Sequence, residues 1–223
     1  KEIMCMEPED FIEKIVISLN VKYIVVGTDF HFGYKRRGNY QMLLKYAKQY
    51  GYEVKVVDKM QEDGRDISST YVREEITLGN MEKANKLLGY MFFVEGIVLH
   101  GKKLGKAILG IPTINLIPPE DKLLPPFGVY VTVTEWKGKK YPGITNVGCK
   151  PTIEGKHPVG VETHLFDMSE DMYGAEVKVS FLSRVRAEQK FESLESLKFQ
   201  MEQDIQYARR YFSAKKICSM EQL

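Results

Sequence analysis

The residues best suited to chemistry on a phosphate begin with Gly101-Lys102-Lys103-Leu104-Gly105-Lys106. Glycines let backbone N–H groups approach an anion, and lysines supply charge. The stretch is not a Walker A loop. Its glycine spacing is one residue short, and Ala107 stands where a hydroxyl would hold magnesium. A solvated hairpin has the same composition. Thr113 and Asn115 follow Pro112. In an extended segment they face one side and present two neutral oxygens, the donor type that suits magnesium with its phosphates and waters. Bonding to local backbone after a proline accounts for the same pair. Glu162 lies in Val161-Glu162-Thr163-His164-Leu165. Strand alternation places Glu162 and His164 on one face and Val161, Thr163 and Leu165 on the other. A carboxylate so placed accepts a hydrogen bond from a substrate hydroxyl, although most strand glutamates are simply solvated. No third group is evident to orient a triad with His164.

Further candidates are more ordinary. Ser68, Ser69 and Thr70 precede a helix that holds Arg73 in its first turns, an arrangement that favours an anion or simply caps the helix. Asp29-Phe30-His31-Phe32-Gly33, with Lys35, Arg36 and Arg37, follows a strand end, where α/β folds place ligands. Arg186 and Phe191 precede the final helix. They would clamp a planar ligand by charge and stacking, or Phe191 would staple the helix start to the core.

The elements that must position these residues fall into two parts. Residues 8–19 read as an amphipathic helix opened by Pro8 and acids. Tyr23 to Val26 and Glu53 to Val57 read as strands, with a helix around Met42 to Ala47 between them and a basic loop from Thr28 to Asn39. That order predicts a parallel pair with a right-handed crossover. Ser68 to Leu78 and Met81 to Leu88 read as helices closed by Gly79 and Gly89. Beyond Gly89 the pattern becomes strands at 92–99, 129–136, 141–147, 159–166 and 176–182, with Lys137-Gly138 as a hairpin turn. This predicts a closed barrel or sandwich. A long final helix carries an apolar stripe of Leu194, Leu197, Met201, Ile205, Ala208 and Phe212, with Ser193 as its N-cap. The expected boundary divides 1–89 from 90–223. A two-strand α/β piece is too small for a doubly wound domain.

The totals agree with a globular chain. Its 223 residues are 43% hydrophobic and 28% charged, enough for one large domain or two small ones. The 32 basic and 30 acidic side chains leave a net charge of +2, which argues against a dedicated nucleic-acid partner. Cys5, Cys149 and Cys218 are too few and too dispersed for a disulfide framework or a cysteine zinc site, so a reducing, cytoplasmic setting is expected. No apolar run approaches the roughly 18 residues of a membrane span. No signal peptide is visible, and the first residue is Lys1 rather than Met.

In order along the chain, Leu109-Gly110-Ile111-Pro112-Thr113-Ile114-Asn115, Gly128-Val129-Tyr130, Asn146-Val147-Gly148 with Pro151-Thr152, Val161-Glu162-Thr163-His164, Tyr173-Gly174, and Arg186 with Phe191 resemble the riboflavin kinase pattern. Upstream, Val26 to Gly33 and Ile67-Ser68-Ser69-Thr70-Tyr71-Val72-Arg73 resemble the bacterial FMN adenylyltransferase module. The chain thus resembles most of a bifunctional riboflavin kinase/FAD synthetase. The resemblance implies an α+β protein: a partial Rossmann-like nucleotidyltransferase piece, then a six-stranded antiparallel Greek-key barrel with a C-terminal helix. It implies riboflavin, FMN and ATP/ADP as ligands, Mg2+ with ATP, and FMN or FAD as products. Thr113 and Asn115 would bind magnesium-ATP, and Glu162 would be the catalytic base. Gly101, Gly105 and Lys106 would form a flap over ATP with Tyr173 near the nucleotide, and Arg186 and Phe191 would lie on the flavin side. Asp29, Phe30, Ser68, Ser69, Thr70 and Arg73 would be the remnant of the adenylyltransferase site.

The sequence departs from the family at several points. Ile114 fills a place usually held by alanine, with its side chain expected to face away from the metal pair. Ala107 replaces a usually polar flap residue. The adenylyltransferase motif His-x-Gly-His does not occur. The expectation is a chain lacking the front half of that module, competent to make FMN and not FAD. A non-catalytic flavin or nucleotide-binding module is the alternative.

Overall fold

The computed structural model describes residues 3–100, 113–149 and 159–215. The chain forms two compact units, divided after Ile67.

In the first unit, α1 (Pro8–Leu19) starts with Pro8 and carries Glu9 and Asp10 in its first turn, where the ring fits and the helix dipole favours acids. Strand β1 (Tyr23–Gly27) follows. The basic loop is more ordered than the sequence suggests. The short strands β2 (His31–Phe32) and β3 (Gly38–Asn39) pair within it, because Phe32 is buried and anchors the turn. The Asn39 side chain then caps α2 (Tyr40–Tyr50) by accepting from the Met42 N–H. Strand β4 (Glu53–Val57) pairs parallel with β1, Tyr23 opposite Glu53. A hairpin of β5 (Gln61–Glu62) and β6 (Arg65–Asp66) closes the unit. Its core gathers Ile12, Phe32, Leu43 and Tyr52 from every layer.

The second unit opens with α3 (Ser69–Leu78) and α4 (Met81–Leu88), which end on Gly79 and Gly89 in left-handed backbone. Ile76, Met81 and Ala84 from these helices join the core of the barrel that follows. Its strands are β7 (Phe93–Ile97), β8 (Thr113–Leu116), β9 (Gly128–Trp136), β10 (Lys139–Cys149), β11 (Val159–Leu165) and β12 (Glu176–Ala187). Their order is β7-β12-β9-β10-β11-β8, every neighbouring pair antiparallel. The run β12-β9-β10-β11 is a Greek key. The Leu99 N–H donates to the Asn115 carbonyl at 2.8 Å, and this bridge joins the two edge regions into a barrel. Lys137 and Gly138, with φ of 50° and 72°, make the tight β9–β10 turn that a twisted hairpin requires.

The barrel has two apolar faces. Inside lie Tyr130, Val147, Val161, Val179 and Phe181, together with Thr132, Thr145 and Thr163, whose hydroxyls form a continuous hydrogen-bonded chain at 2.7 and 2.8 Å. That chain meets the hydrogen-bonding needs that burial imposes. Tyr130 donates to the Pro126 carbonyl, and burial pushes its hydroxyl up to about 12. Outside, Val129, Val131, Val133 and Ile144 pack under the last helix, α5 (Leu194–Ala214), against Ala208 and Phe212. Ser193 caps α5 by accepting from the Ser196 N–H. Leu194, expected in the apolar stripe, is instead exposed. It is the first helical residue after the cap, and the buried face starts one turn later. Among the described residues, no helix is long and apolar enough to cross a membrane.

Strand β12 runs beyond its expected end at residue 182 because irregularities near Ser183 and Arg186 let it keep pairing with β9. Gly128 makes this possible. Its φ is 153°, and a Cβ there would lie 2.3 Å from the Arg186 carbonyl oxygen. Gly128→Ala is therefore expected to lower stability by about 2 kcal/mol or more, measured by chemical denaturation.

Candidate active site

The site lies on the outer face of the barrel. Register sets it: Glu162 of β11 stands opposite Asn115 of β8 and Asn146 of β10, and His164 stands opposite Thr113 and Ile144. Directly opposed residues share a face, so Thr113, Asn115, Asn146, Glu162 and His164 all point outward. Ile114 points into the barrel core, as expected of a residue between two site positions. Helix α5 and the 186–191 segment close over this face. They enclose a cavity of about 310 Å³, lined by Thr113, Glu162 and His164 from β8 and β11 and by Arg186, Phe191, Met201 and Asp204 from the end of β12, the segment after it and α5. Asn146, Glu188 and Gln189 add to its polar lining.

The Thr113 hydroxyl donates to Glu162 Oε1 at 2.7 Å. This is the orienting group that the strand pattern alone could not supply, because it comes from a residue 49 positions away. It holds the carboxylate at the cavity wall. Asn115 is 4% exposed and does not line the cavity. Glu162 and Thr113 present hard oxygens, and among the described residues no cluster of His, Cys, Asp and Glu is suited to a metal.

Arg186 and Phe191 come together as the sequence suggested, the guanidinium lying 5.7 Å from the ring centre. Asp204 was not foreseen. It is buried in the cavity wall and accepts from Arg186 Nε and Nη2 at 2.8 to 3.1 Å, and from Gln200 at 2.9 Å. The signal was present in the sequence, for Asp204 is an acid at an apolar-stripe position between Met201 and Ala208. Tyr173 sits on a separate turn and stacks on His100 at 3.8 Å. It is tied to the same barrel end as Asn115, since Val98 bonds Ala175 and Gly174 while Leu99 bonds Asn115. Gly101, Gly105 and Lys106, with Ala107 and Pro151-Thr152, lie outside the described residues.

Among the upstream candidates, Ser68, Phe30 and Asp29 have structural partners. Ser68 caps α3 by accepting from the Tyr71 N–H. Ser69, Thr70 and Arg73 are exposed on the same helix. Phe30 stacks on Phe32 at 5.6 Å within the first unit's core. Asp29 pairs with Lys59 at 3.1 Å, and Lys59 also pairs with Asp66.

The class of fold is a six-stranded Greek-key barrel with a carboxylate-lined cleft under a C-terminal helix, and likeness to known proteins defines the family. The riboflavin kinase family model matches residues 88–212, and the FAD synthetase model matches residues 1–71. The chain belongs to the riboflavin kinase family. The bifunctional riboflavin kinase/FMN adenylyltransferase of Bacillus subtilis is 38% identical over 93% of this chain and 66% of its own length. The Escherichia coli K12 protein of the same description is 36% identical over 97% of this chain and 69% of its own. The chain thus spans about two thirds of these relatives. A crystal structure described as a macrolide-efflux protein from Streptococcus pneumoniae superposes with a TM-score of 0.84 at 32% identity, covering 94% of this chain and 67% of that one.

The Asp29 carboxyl lies below its ordinary 3.8 because it accepts a hydrogen bond from Lys59. Asp66 is lowered by bonds from Gln61 and then Lys59. A lowered folded-state value means that the pairing contributes above the ordinary carboxyl pKa and is lost as pH falls through the depressed values. Lys59→Met is expected to move the acid titration of both carboxyls upward, read by carboxyl-carbon NMR.

Proposed function

We propose that this chain phosphorylates riboflavin, transferring the γ-phosphoryl group of ATP to the ribityl 5′-hydroxyl to give FMN. The observation that carries this reading is Glu162, held by Thr113 at the wall of a cleft whose lining also offers a second surface, the Arg186 guanidinium over the Phe191 ring. A flavin ring suits the second surface, and its hydroxyl tail would meet the first. In this reading Glu162 orients the 5′-hydroxyl and takes its proton as the new O–P bond forms, and the bond to ADP breaks in line. Thr113, with Asn115 next on the same face of β8, would hold the magnesium ion that accompanies ATP, which would supply charge neutralisation for the transferring group. Gly101, Gly105 and Lys106 would cover the phosphates, with Tyr173 beside the nucleotide. We place residues 90–223 in the kinase part, 1–89 in the remainder of an adenylyltransferase module, and the protein in the cytoplasm. The adenylyltransferase activity named for the longer relatives, and the efflux role named for the pneumococcal protein, stay with those proteins.

The test is a product assay with riboflavin and magnesium-ATP, resolved by chromatography. FMN is expected. FAD appearing as well would assign work to Asp29, Phe30 and the Ser68–Arg73 segment. Flavin binding without either product would make the chain a binding module. Glu162→Gln is expected to lower turnover about 10²–10⁴-fold while riboflavin binding, read by fluorescence quenching, is retained. Full turnover in that variant would remove Glu162 from the base role.

A further inference from the structure

Resting on the kinase reading, we infer that Asp204 is a positioning residue that sets flavin affinity through Arg186. Asp204 is 4% exposed, and an acid is almost never so buried without a specific partner. Its partner is Arg186, held by a two-pronged contact from Nε and Nη2. Gln200, one turn earlier on α5, bonds the same carboxylate. The other terminal nitrogen of Arg186 donates to the Ala187 carbonyl at 3.1 Å. The guanidinium is thereby fixed in plane and in rotation, and it cannot swing away from the Phe191 ring beneath it.

The arrangement joins three pieces of chain at the cavity: the irregular end of β12, the 187–191 segment and the middle of α5. A planar ligand entering against Phe191 meets a cation whose orientation is already set. Without Asp204 that cation would have to be ordered by the ligand itself, and the cost would appear in binding. In the kinase reading the phosphoryl-transfer groups Thr113 and Glu162 come from β8 and β11, other elements than those that carry Arg186 and Asp204. The effect should therefore fall on flavin binding rather than on the chemical step.

The experiment uses the full chain and compares wild type, Asp204→Asn and Arg186→Lys. Riboflavin Kd by fluorescence quenching, riboflavin KM, kcat and magnesium-ATP KM are measured for each. In both variants riboflavin Kd and KM are expected to rise about tenfold, with kcat and magnesium-ATP KM within about twofold, the pattern of binding lost equally in ground and transition states. A purely structural role would lower Tm and leave that split absent. Should Asp204→Asn fail to fold, Arg186→Lys carries the test, because lysine still neutralises the buried carboxylate but lacks the planar fork. Folded variants that bind riboflavin as tightly as wild type, or that lose kcat with Kd unmoved, overturn the inference alone. A wild-type chain that neither binds nor phosphorylates riboflavin overturns the kinase reading and this inference with it.

Discussion

The antiparallel register between β8 and β11 is the constraint on which the site depends. It sets Glu162 opposite Asn115 and brings Thr113 within reach of the Glu162 carboxylate. A strand that slips by one residue turns every side chain to the other face. Such a slip would put Glu162 into the barrel and Thr163 into the cleft. The bridge from Leu99 to Asn115 and the hydroxyl chain through Thr132, Thr145 and Thr163 both oppose it. The first ties β8 across the closure of the barrel. The second makes the interior of β11 polar in one place only, where matching hydroxyls await on β10 and β9.

Helix α5 then decides which outer face becomes a cleft. It covers the valines of β9 and Ile144 of β10 with Ala208 and Phe212, and the cavity opens beside that contact. The Arg209 guanidinium reinforces the seat, lying 4.6 Å from the Phe166 ring centre and pairing with Asp167. The Arg186–Asp204 pair works differently. A buried ion pair is weak evidence for net stability, since desolvation offsets much of its attraction. Its position in the cavity wall fits a role in orientation better than a role in holding the fold.

Much of this was legible in sequence. The helices at 8–19, 69–78 and 81–88 follow local signals: Pro8 and two acids open the first, Ser68 caps the second, and Gly79 and Gly89 close the second and third. The sharing of one face by Glu162 and His164, and by Thr113 and Asn115, followed from strand alternation. Other features were not legible, for a physical reason. In β9 the alternation of valine and threonine invites the reading that valines face the core and threonines face water. The reverse holds: Thr132 and Thr134 are fully buried inside the barrel, and the valines pack outside under α5. A strand covered on both faces gives no polarity by which to tell inside from outside. Likewise, Ser68 reads equally as an anion site or a cap, and the structure shows the cap.

The sequence by itself determined the order of the helices and the longer strands, the change from helix-rich to strand-rich chain near Gly89, and the residue types available for chemistry. These depend on neighbours a few residues apart. Tertiary structure decided which residues meet. The Thr113–Glu162 bond spans 49 residues, and the Arg186–Asp204 pair joins a strand end to mid-helix. Closure of the barrel and the seating of α5 create both contacts, and neither leaves a local trace beyond an acid placed in an apolar stripe.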